Sequence, residues 1–350
     1  MNKKHQDYIF KHFIIWIFAT TFWAIMREFG QDVVQAYPPL TLFQYARLHF
    51  AMSLAASILF GSLEFFFEKK INRNFSFGKS ILIGSASYLI ATLMLISFGT
   101  MVFTKVLQIT LSWNFYQEFI LSKQTILLIF YCFLVGFLID FVKQIDKKFG
   151  PGNLWRMLKG EFYEPKEAER IFMFLDLKSS TSIAENLGHI KYSKLIQDCF
   201  LDLDVVEKYH AEVYQYVGDE VVLTWEKEQG LFNSNCLKSY FDFQTRLSER
   251  SEYYLEQYGL VPEFKAGLNM GKIIIAEVGE LKREIAYHGD TINTAARIQE
   301  QCNALGENLL ISESLQDRLV LDATFSSLHV GEVLLKGKAN KVNIYRIEAA

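Results

Sequence analysis

The sequence IFMFLDLKSST, from Ile171 to Thr181, decides the fold of the C-terminal part of this 350-residue chain. Its first seven residues are apolar except for Asp176, and a run of this kind predicts a buried β-strand. The Ser and Thr residues that follow predict the start of a helix. A carboxylate at the end of a buried strand is costly unless it is paired or bound to a cation. Asp176 is therefore a candidate cation ligand directly before a helix N-terminus.

A second carboxylate follows a second apolar strand. The stretch VYQYVGDEVVLTW, from Val213 to Trp225, predicts two strands joined by a tight turn that contains Asp219. Two carboxylates on neighbouring strands suit Mg²⁺, which binds one or two carboxylates together with phosphate oxygens. The predicted helix N-terminus offers free backbone N–H groups to such a phosphate. Taken separately, each Asp is more often a cap or a turn residue.

A third motif is GDTINTAARI, from Gly289 to Ile298. It predicts a helix that begins at Asp290 and is capped by Asp290 or Thr291. Asn293 and Arg297 then lie at positions i and i+4 on one helix face. An amide and a guanidinium on that face can stabilise charge that develops on phosphate oxygens. The alternative is an ordinary amphipathic helix with a surface Arg.

The remaining pattern of this half predicts a helix over Tyr192–Tyr209, a helical stretch to about Tyr258, and strands over Phe264–Asn269 and Ile273–Val278. Strands and helices mixed in this order predict an α+β sandwich with an antiparallel component. After Lys143 the chain carries 24 basic and 32 acidic residues, a net charge of −8. An acidic domain repels the phosphate backbone, so we expect no nucleic-acid partner.

The first 143 residues have a different composition, with 12 basic and 7 acidic residues and a net charge of +5. Ser80–Phe103 contains 24 residues without a formal charge, which is enough to cross a hydrocarbon core of roughly 30 Å. We predict an all-α transmembrane four-helix unit over residues 1–143, embedded in the lipid bilayer, with spans at Phe13–Met26, Leu48–Leu63, Ser80–Phe103 and Gln124–Ile139. A signal peptide is an alternative for the first span, but no small-residue cleavage site follows it.

Lys and Arg residues are concentrated at the N-terminus, between the second and third spans, and after the fourth. The positive-inside rule then predicts a multi-pass protein of the inner or cell membrane, with both termini and the C-terminal domain in the cytoplasm. Arg47 lies beside the second span, where it either reaches the interface, pairs within the bundle or marks a functional site. Acidic and His residues are scarce in the spans, which argues against a transporter.

Residues 144–168 form a predicted connector before a domain over residues 169–350. A Gly-Pro-Gly sequence breaks the chain at residues 150–152. A short amphipathic stretch, Leu154–Leu158, follows. It is either part of a flexible tether on the membrane surface or a contact with its twin in a dimer that passes a signal to the second domain.

Five ordered segments carry a resemblance: FLDLKSST, YQYVGDEVVLTW, FKAGLNMGKIIIAEVG, YHGDTINTAARI and LLKGK. Together they resemble the catalytic domain of class III nucleotidyl cyclases, the adenylate and guanylate cyclases, over about Arg170 to Ile347. The resemblance implies a ferredoxin-like βααββαβ fold and a head-to-tail homodimer with sites at its interface. It also implies a two-metal reaction, with Mg²⁺ or Mn²⁺, that converts ATP to 3′,5′-cyclic AMP and pyrophosphate.

The resemblance also implies roles for single residues. Asp176 and Asp219 match the metal-binding pair. The backbone of Leu177 and the helix N-terminus at Thr181 would lie beside the metal ions and the phosphates.

Further residues match the groups that act on the triphosphate. Asn293 and Arg297 match the transition-state pair, which the other protomer would contribute. Lys336 is the predicted triphosphate contact, with Lys338 as an alternative.

Two positions depart from the family pattern in base recognition. Adenylate cyclases usually have Lys and Asp or Thr, and guanylate cyclases Glu and Cys, where this chain has Gln215 and Ala286. A Gln amide both donates and accepts hydrogen bonds, whereas Ala286 would need help from Tyr287, His288 or the backbone. We predict ATP as the substrate. The alternatives are a guanylate or dual-specificity cyclase, and an inactive cyclase-fold signalling or nucleotide-binding module.

Overall fold

The structure, a computed structural model, describes residues 3–28, 42–70, 75–106, 112–150, 152–334 and 341–349. The chain divides into two compact units, Met1–Lys148 and Phe149–Ala350, which we call the helical unit and, after the resemblance seen in the sequence, the catalytic unit. Lys336 and Lys338 lie outside the described residues, as does the side chain of Arg47.

In its described residues, the helical unit has four long helices and one short one: α1 (Lys3–Glu28), α2 (Leu42–Lys70), α3 (Phe77–Val106), α4 (Trp113–Ile120) and α5 (Lys123–Phe149). Three described segments are long and apolar enough to cross a membrane: Tyr8–Met26, Phe77–Met101 and Lys123–Phe149. The apolar part of α2, Phe50–Phe66, is shorter. Its 17 residues extend about 26 Å, less than a hydrocarbon core of roughly 30 Å. Three of the four expected spans are therefore candidates by length and composition, and the expected count of four is not confirmed.

Aromatic side chains fill the interior of the helical unit. Trp16 of α1 stacks on Phe60 of α2 with ring centroids 4.5 Å apart, and Phe60 stacks on Tyr88 of α3 at 5.1 Å. Helix α5 joins this core because the Tyr131 hydroxyl donates to the carbonyl of Ala19 at 2.8 Å. Stacked rings of this size bury much apolar surface and fix the helices against one another.

The connector is folded onto the catalytic unit. Helix α6 (Asn153–Leu158) is followed by Phe162, which is 3% exposed, and the backbone N–H of Glu277 donates to the Phe162 carbonyl at 2.9 Å. The Arg156 guanidinium lies 4.7 Å from the centre of the Phe162 ring. Neither interpretation of the sequence included this packing on the chain's own sheet. The Trp155 side chain stays exposed, so the dimer contact of this segment remains a prediction.

The catalytic unit is an α+β domain, as expected, built on one eight-stranded sheet. Its strands are β1 (Lys166–Leu177), β2 (Glu212–Val217), β3 (Glu220–Glu226), β4 (Phe264–Val278), β5 (Glu284–His288), β6 (Leu309–Ser312), β7 (Phe325–Val333) and β8 (Val342–Ala349). The order is β2-β3-β1-β4-β6-β8-β7, with β5 paired to β4. Its helices are α7 (Ser180–Leu187), α8 (His189–Asp202), α9 (Lys227–Leu231), α10 (Asn235–Glu249), α11 (Ser251–Tyr258), α12 (Asp290–Leu305) and α13 (Glu313–Gln316).

The order of these elements follows the expected βααββαβ pattern through β4 and then extends it with β5 to β8. Strand β1 lies at the centre, antiparallel to both β3 and β4. Its side chains alternate between two cores: Ile171 and Met173 pack with helices α8 and α10, whereas Phe172 packs on the opposite face with Phe162. Burial on both faces explains why the strand sequence is continuously apolar.

Strand β4 differs from expectation because it is one strand of 15 residues and does not break between Asn269 and Ile273. Two glycines inside it permit a close approach of α12. A Cβ atom at Gly271 would lie 2.7 Å from Thr291 Oγ1, and one at Gly267 would lie 2.2 Å from the backbone nitrogen of Gln299. Helix α12 therefore rests directly on the backbone of β4.

Candidate active site

Three carboxylates meet at one end of the central strands. Asp176 is the penultimate residue of β1 and lies opposite Glu220, the first residue of β3. Asp219 occupies the turn between β2 and β3, next to Gly218, whose φ of +64° suits glycine. The expected hairpin with Asp219 in its turn is confirmed. Glu220 was not predicted as part of the site, although it follows Asp219 directly in the sequence.

The Asp176 carboxylate has two further partners. Its Oδ2 atom lies 3.1 Å from Lys265 Nζ of β4 and accepts a hydrogen bond from Gln299 Nε2 of α12 at 3.0 Å. Lys265 is 7% exposed and Gln299 is 4% exposed. Sequence reasoning missed both residues. The available signals were a Lys inside the buried run FKAGL and a polar residue on the buried face of α12.

Burial and neighbouring negative charge raise the pKa values of Asp176 and Glu220. Burial raises the pKa of Asp176, and the charge of Asp219 adds to this effect, while the hydrogen bond from Lys265 opposes it. Burial and the charges of Asp176 and Asp219 raise the pKa of Glu220 to about 7. Burial and the charge of Asp219 also raise the pKa of Tyr192 to about 12. The site is thus a centre of concentrated negative charge.

Helix α7 begins directly beside this centre, as the sequence predicted. Ser179 is its N-cap residue, with a φ of 56° and no side-chain cap hydrogen bond, so the first backbone N–H groups keep no side-chain acceptor there. Thr181, in the first turn, is exposed, whereas the side chain of Leu177 is 1% exposed. A substrate could therefore meet the Leu177 position only through its backbone.

Helix α12 begins at Asp290, but its cap differs from expectation. Gly289 is the N-cap residue and forms no side-chain cap hydrogen bond. The Thr291 hydroxyl donates instead to the carbonyl of Lys272 at 2.7 Å, which attaches the first turn of the helix to β4. Asn293 is exposed and Arg297 half-buried, and among the described residues neither forms a hydrogen bond or ion pair.

The two predicted base-recognition residues lie on strands that are not neighbours in the sheet. Gln215 is exposed on β2, directly after a β-bulge that shifts the register with β3. Bulges of this kind re-aim side chains beside active sites. Ala286 is half-buried in the middle of β5 and is paired with Ala276. The neighbouring side chains Tyr214 and Tyr287 do meet, with ring centroids 4.7 Å apart.

The donor set fits a hard divalent cation. Asp176, Asp219 and Glu220 repel one another, and Lys265 is the cation in contact with Asp176 among the described residues. No group of three or more His, Cys, Asp and Glu side chains in the described residues is arranged to hold a metal ion by itself. Mg²⁺ keeps several positions for water and phosphate oxygens, so a carboxylate pair that needs a phosphate to complete the coordination suits it.

Comparisons with known proteins support the resemblance that the sequence motifs carry. The family described as "Adenylate and Guanylate cyclase catalytic domain" matches residues 163–349. Adenylate cyclase 2 of Rhizobium meliloti (strain 1021) is 32% identical over 212 residues, which cover 60% of this chain and 58% of that protein. Receptor-type guanylate cyclase gcy-4 of Caenorhabditis elegans is 25% identical over 196 residues, which cover 52% of this chain and 16% of that protein. The chain thus spans less than two thirds of either relative.

A solved structure of a bacterial light-regulated adenylyl cyclase shares the fold. Its TM-score is 0.53 at 18% sequence identity, and the alignment covers 65% of this chain and 67% of that chain. The family match extends over more than half of the chain and includes every described residue of the carboxylate site. The chain belongs to the family of adenylate and guanylate cyclase catalytic domains.

Proposed function

We propose that the protein is a membrane-anchored nucleotidyl cyclase that converts ATP to 3′,5′-cyclic AMP and pyrophosphate. The observation that carries this proposal is the convergence of Asp176, Asp219 and Lys265 beside the N-terminus of α7. Family membership and the 32% identical adenylate cyclase support it. A centre of two carboxylates, one ammonium and free backbone N–H groups suits a metal-bound triphosphate.

Asp176 and Asp219 would hold two Mg²⁺ or Mn²⁺ ions. When bound, such ions stabilise charge on the attacking and leaving oxygens of a phosphoryl transfer. Gln299 and Lys265 orient the Asp176 carboxylate through its Oδ2 atom. Lys265 also places a positive charge where the phosphates would lie, a role that we propose it shares with Lys336.

The active form is a homodimer in this proposal, with each site built from two copies of the chain. In-chain contacts support this arrangement, because α12 reaches Asp176 through Gln299 while Asn293 and Arg297 lie on the helix face away from the core. From a second copy, the Asn293 amide and the Arg297 guanidinium would orient the ribose and stabilise charge on the α-phosphate.

Purine selection rests on Gln215 and Ala286. The Gln215 amide can donate to and accept from either purine, and Ala286 offers only its backbone. ATP is the proposed substrate because the more similar relative is named an adenylate cyclase. A guanylate or dual-specificity cyclase is the second candidate, favoured by the absence of a side-chain hydrogen-bonding group at Ala286.

The helical unit anchors the enzyme in the inner or cell membrane in this proposal. Three segments support the anchor by their length and composition, and we propose α2 as a fourth, tightly packed span. Lys and Arg residues are concentrated at the N-terminus, around the connection between α2 and α3, and from the end of α5 onwards. By the positive-inside rule we propose that both termini and the catalytic unit are cytoplasmic.

A turnover assay with ATP and GTP offered side by side tests the function. The full chain in detergent or lipid nanodiscs, with Mg²⁺ or Mn²⁺, is expected to form cyclic AMP, and Asp219→Ala to abolish it without loss of folding. Glu118→Gln, which alters an exposed carboxylate of α4, serves as the matched control. Full activity of folded Asp219→Ala protein contradicts the proposal, and nucleotide binding without turnover favours the inactive module.

A further inference from the structure

The helical unit contains a second charged centre, the Glu64 cluster, formed by His12 of α1, Glu64 of α2, Tyr88 of α3, and Asp140 and Lys143 of α5. Glu64 accepts hydrogen bonds from Lys143 Nζ at 2.6 Å, from the Tyr88 hydroxyl at 3.3 Å and from His12 Nε2. Three donors around one carboxyl group stabilise the ionised form. Since a carboxylate only accepts, Nε2 of His12 carries a proton.

Asp140 lies one helical turn before Lys143 and has the opposite environment. It is 8% exposed, its Oδ2 atom is fully buried, and its carboxyl group forms no hydrogen bond or ion pair with any described residue. The backbone of α3 approaches it closely, because a Cβ atom at Gly84 would lie 2.0 Å from Asp140 Oδ2. The carboxyl group is therefore enclosed between α3 and α5.

The formal charges of the cluster do not balance unless it binds one proton. Glu64 and Lys143 cancel, which leaves Asp140 as an uncompensated negative charge if His12 is neutral. An isolated buried carboxylate is among the most unfavourable groups in a protein interior. In a bundle surrounded by lipid there is no water to offset this cost.

His12 is a poor place for that proton. Its Nδ1 atom is buried without a hydrogen-bond partner among the described residues. In the neutral ring this atom is only an unused acceptor, whereas in the imidazolium it becomes a charged N–H without an acceptor. The proton therefore belongs on Asp140, where it removes the charge that has no partner.

We propose that Asp140 is a proton-binding site of the helical unit, protonated when α3 and α5 are closely packed and charged when they loosen. The titratable and charged groups that face it are Glu64, Tyr88 and Lys143. His12 contacts Glu64, and Tyr8 lies beyond Lys143, with its ring centre 5.7 Å from Nζ. Described residues form no three-ligand metal group, and Lys143 already neutralises Glu64. The ligand that restores neutrality is a proton.

Because Asp140 lies on α5, its protonation can affect the packing of the helix that continues into the connector. Nine residues, or about 14 Å of helix, separate Asp140 from Phe149, where α5 ends and the catalytic unit begins. Loss of the proton places a charge against Gly84, and α3 and α5 must separate or admit water around it. The pH near this end of the bundle thus changes the packing of the helix that continues into the connector.

Infrared spectroscopy of the full chain in lipid nanodiscs tests the site directly. Aspartate labelled with ¹³C at its carboxyl group separates the C=O stretch of protonated Asp from that of Glu. Asp176→Asn serves as the background, because it removes the catalytic aspartate whose pKa is also raised. We expect a protonated-Asp band that disappears as the pH rises from about 5 to about 9. Absence of such a band in this background overturns the proposal, even if no further variant folds.

Two variants complete the assignment. Asp140→Asn has the shape of the protonated acid, so it is expected to fold, to lack the band, and to make the thermal stability of the helical unit less dependent on pH between about 5 and about 9. Asp146→Asn is the matched control on the same helix and is expected to keep the band. A band that survives in Asp140→Asn overturns the proposal. The band does not depend on turnover, so this outcome is distinct from failure of the proposed cyclase function.

Discussion

The catalytic unit contains two acidic groups that differ in the partners that the chain offers them. Asp198 and Asp202 of α8 are buried, and their Oδ2 atoms accept hydrogen bonds at 2.5 to 2.7 Å from Arg250 and from three side chains of α11: Tyr253, Tyr254 and Tyr258. At the other site, Asp176 has Lys265 and Gln299 as partners but faces the like charges of Asp219 and Glu220.

The pKa values of Asp198 and Asp176 are shifted in opposite directions. Burial alone would raise the pKa of Asp198, but hydrogen bonds from Tyr258, Tyr253 and Lys194 outweigh it and hold the pKa below its ordinary value. The pKa of Asp176 is raised by burial and by Asp219. A buried carboxylate that accepts several hydrogen bonds from the chain stabilises the fold. One that is crowded by like charges is prepared for an external cation.

Replacing the same residue type in both groups gives the largest expected contrast. Asp176→Asn is expected to lower kcat for cyclic nucleotide formation by at least about a thousandfold, because it removes a proposed ligand of the metal ions that would stabilise the transition state. Its thermal unfolding temperature should not fall, since a repelling charge is lost. Asp198→Asn, the matched control, is expected to keep kcat. Assays of turnover and unfolding on both variants check this, and equal losses of activity would remove the distinction.

Mixing two inactive variants tests whether Asp176 of one copy works together with Arg297 of the other copy. Asp176→Asn and Arg297→Ala proteins are each expected to be inactive. Random heterodimers make up half of the dimers and contain one intact site each, so the mixture should recover about a quarter of the wild-type rate. The measurement is turnover after co-expression or subunit exchange. A mixture that stays inactive while forming dimers contradicts a shared site.

Replacing Asp198 is predicted to lower the stability of the catalytic unit by an amount that depends on pH. Asp198→Asn is expected to lower the free energy of unfolding at pH 7 by about 2 kcal/mol, because hydrogen bonds to a charged acceptor become weaker. Since the folded pKa of Asp198 is depressed, its contribution is fully present above the unfolded pKa and is lost as the pH falls through the folded pKa. Urea unfolding at several pH values measures this. A difference that grows towards acidic pH contradicts the assignment.

The smallest effect is expected at the purine. Gln215→Glu leaves only acceptors at this position and should shift the ATP to GTP ratio of kcat/KM towards GTP by about tenfold. Gln215→Lys leaves only donors and should shift it towards ATP. Competition assays with both nucleotides measure the ratio. Unchanged ratios in both variants exclude Gln215 from base recognition.

Much of the catalytic unit could be predicted because its motifs are local. Strand β1, the hairpin around Asp219 and the start of α12 each depend on a few neighbouring residues whose periodicity and turn chemistry are visible in the chain. Lys265 and Gln299 could not be found in this way. They reach Asp176 from positions 89 and 123 residues away, through strand pairing and helix packing that no local pattern encodes.

The sequence-based predictions that differ from the structure share one physical cause, which is packing between elements that are distant in the sequence. Gly271 is compatible with a break between strands, yet it serves the approach of Thr291 within one continuous strand. The connector contains Gly and Pro residues that are typical of a loop, but Phe162 is buried against the sheet. In the helical unit, the apolar length of α2 could be counted from the sequence, while its partners across the bundle could not.

The glycine at position 267 also has a consequence for control of the enzyme. No side chain separates α12 from β4 at that point, so the close contact of the two backbones restricts sliding and tilting of the helix. Asn293 and Arg297 must move with the sheet as a single rigid body. In the proposed homodimer, a signal that changes activity would then act by moving the two catalytic units relative to each other, and Gly267→Ala would disrupt the packing of α12 on β4 that stays unchanged during that movement.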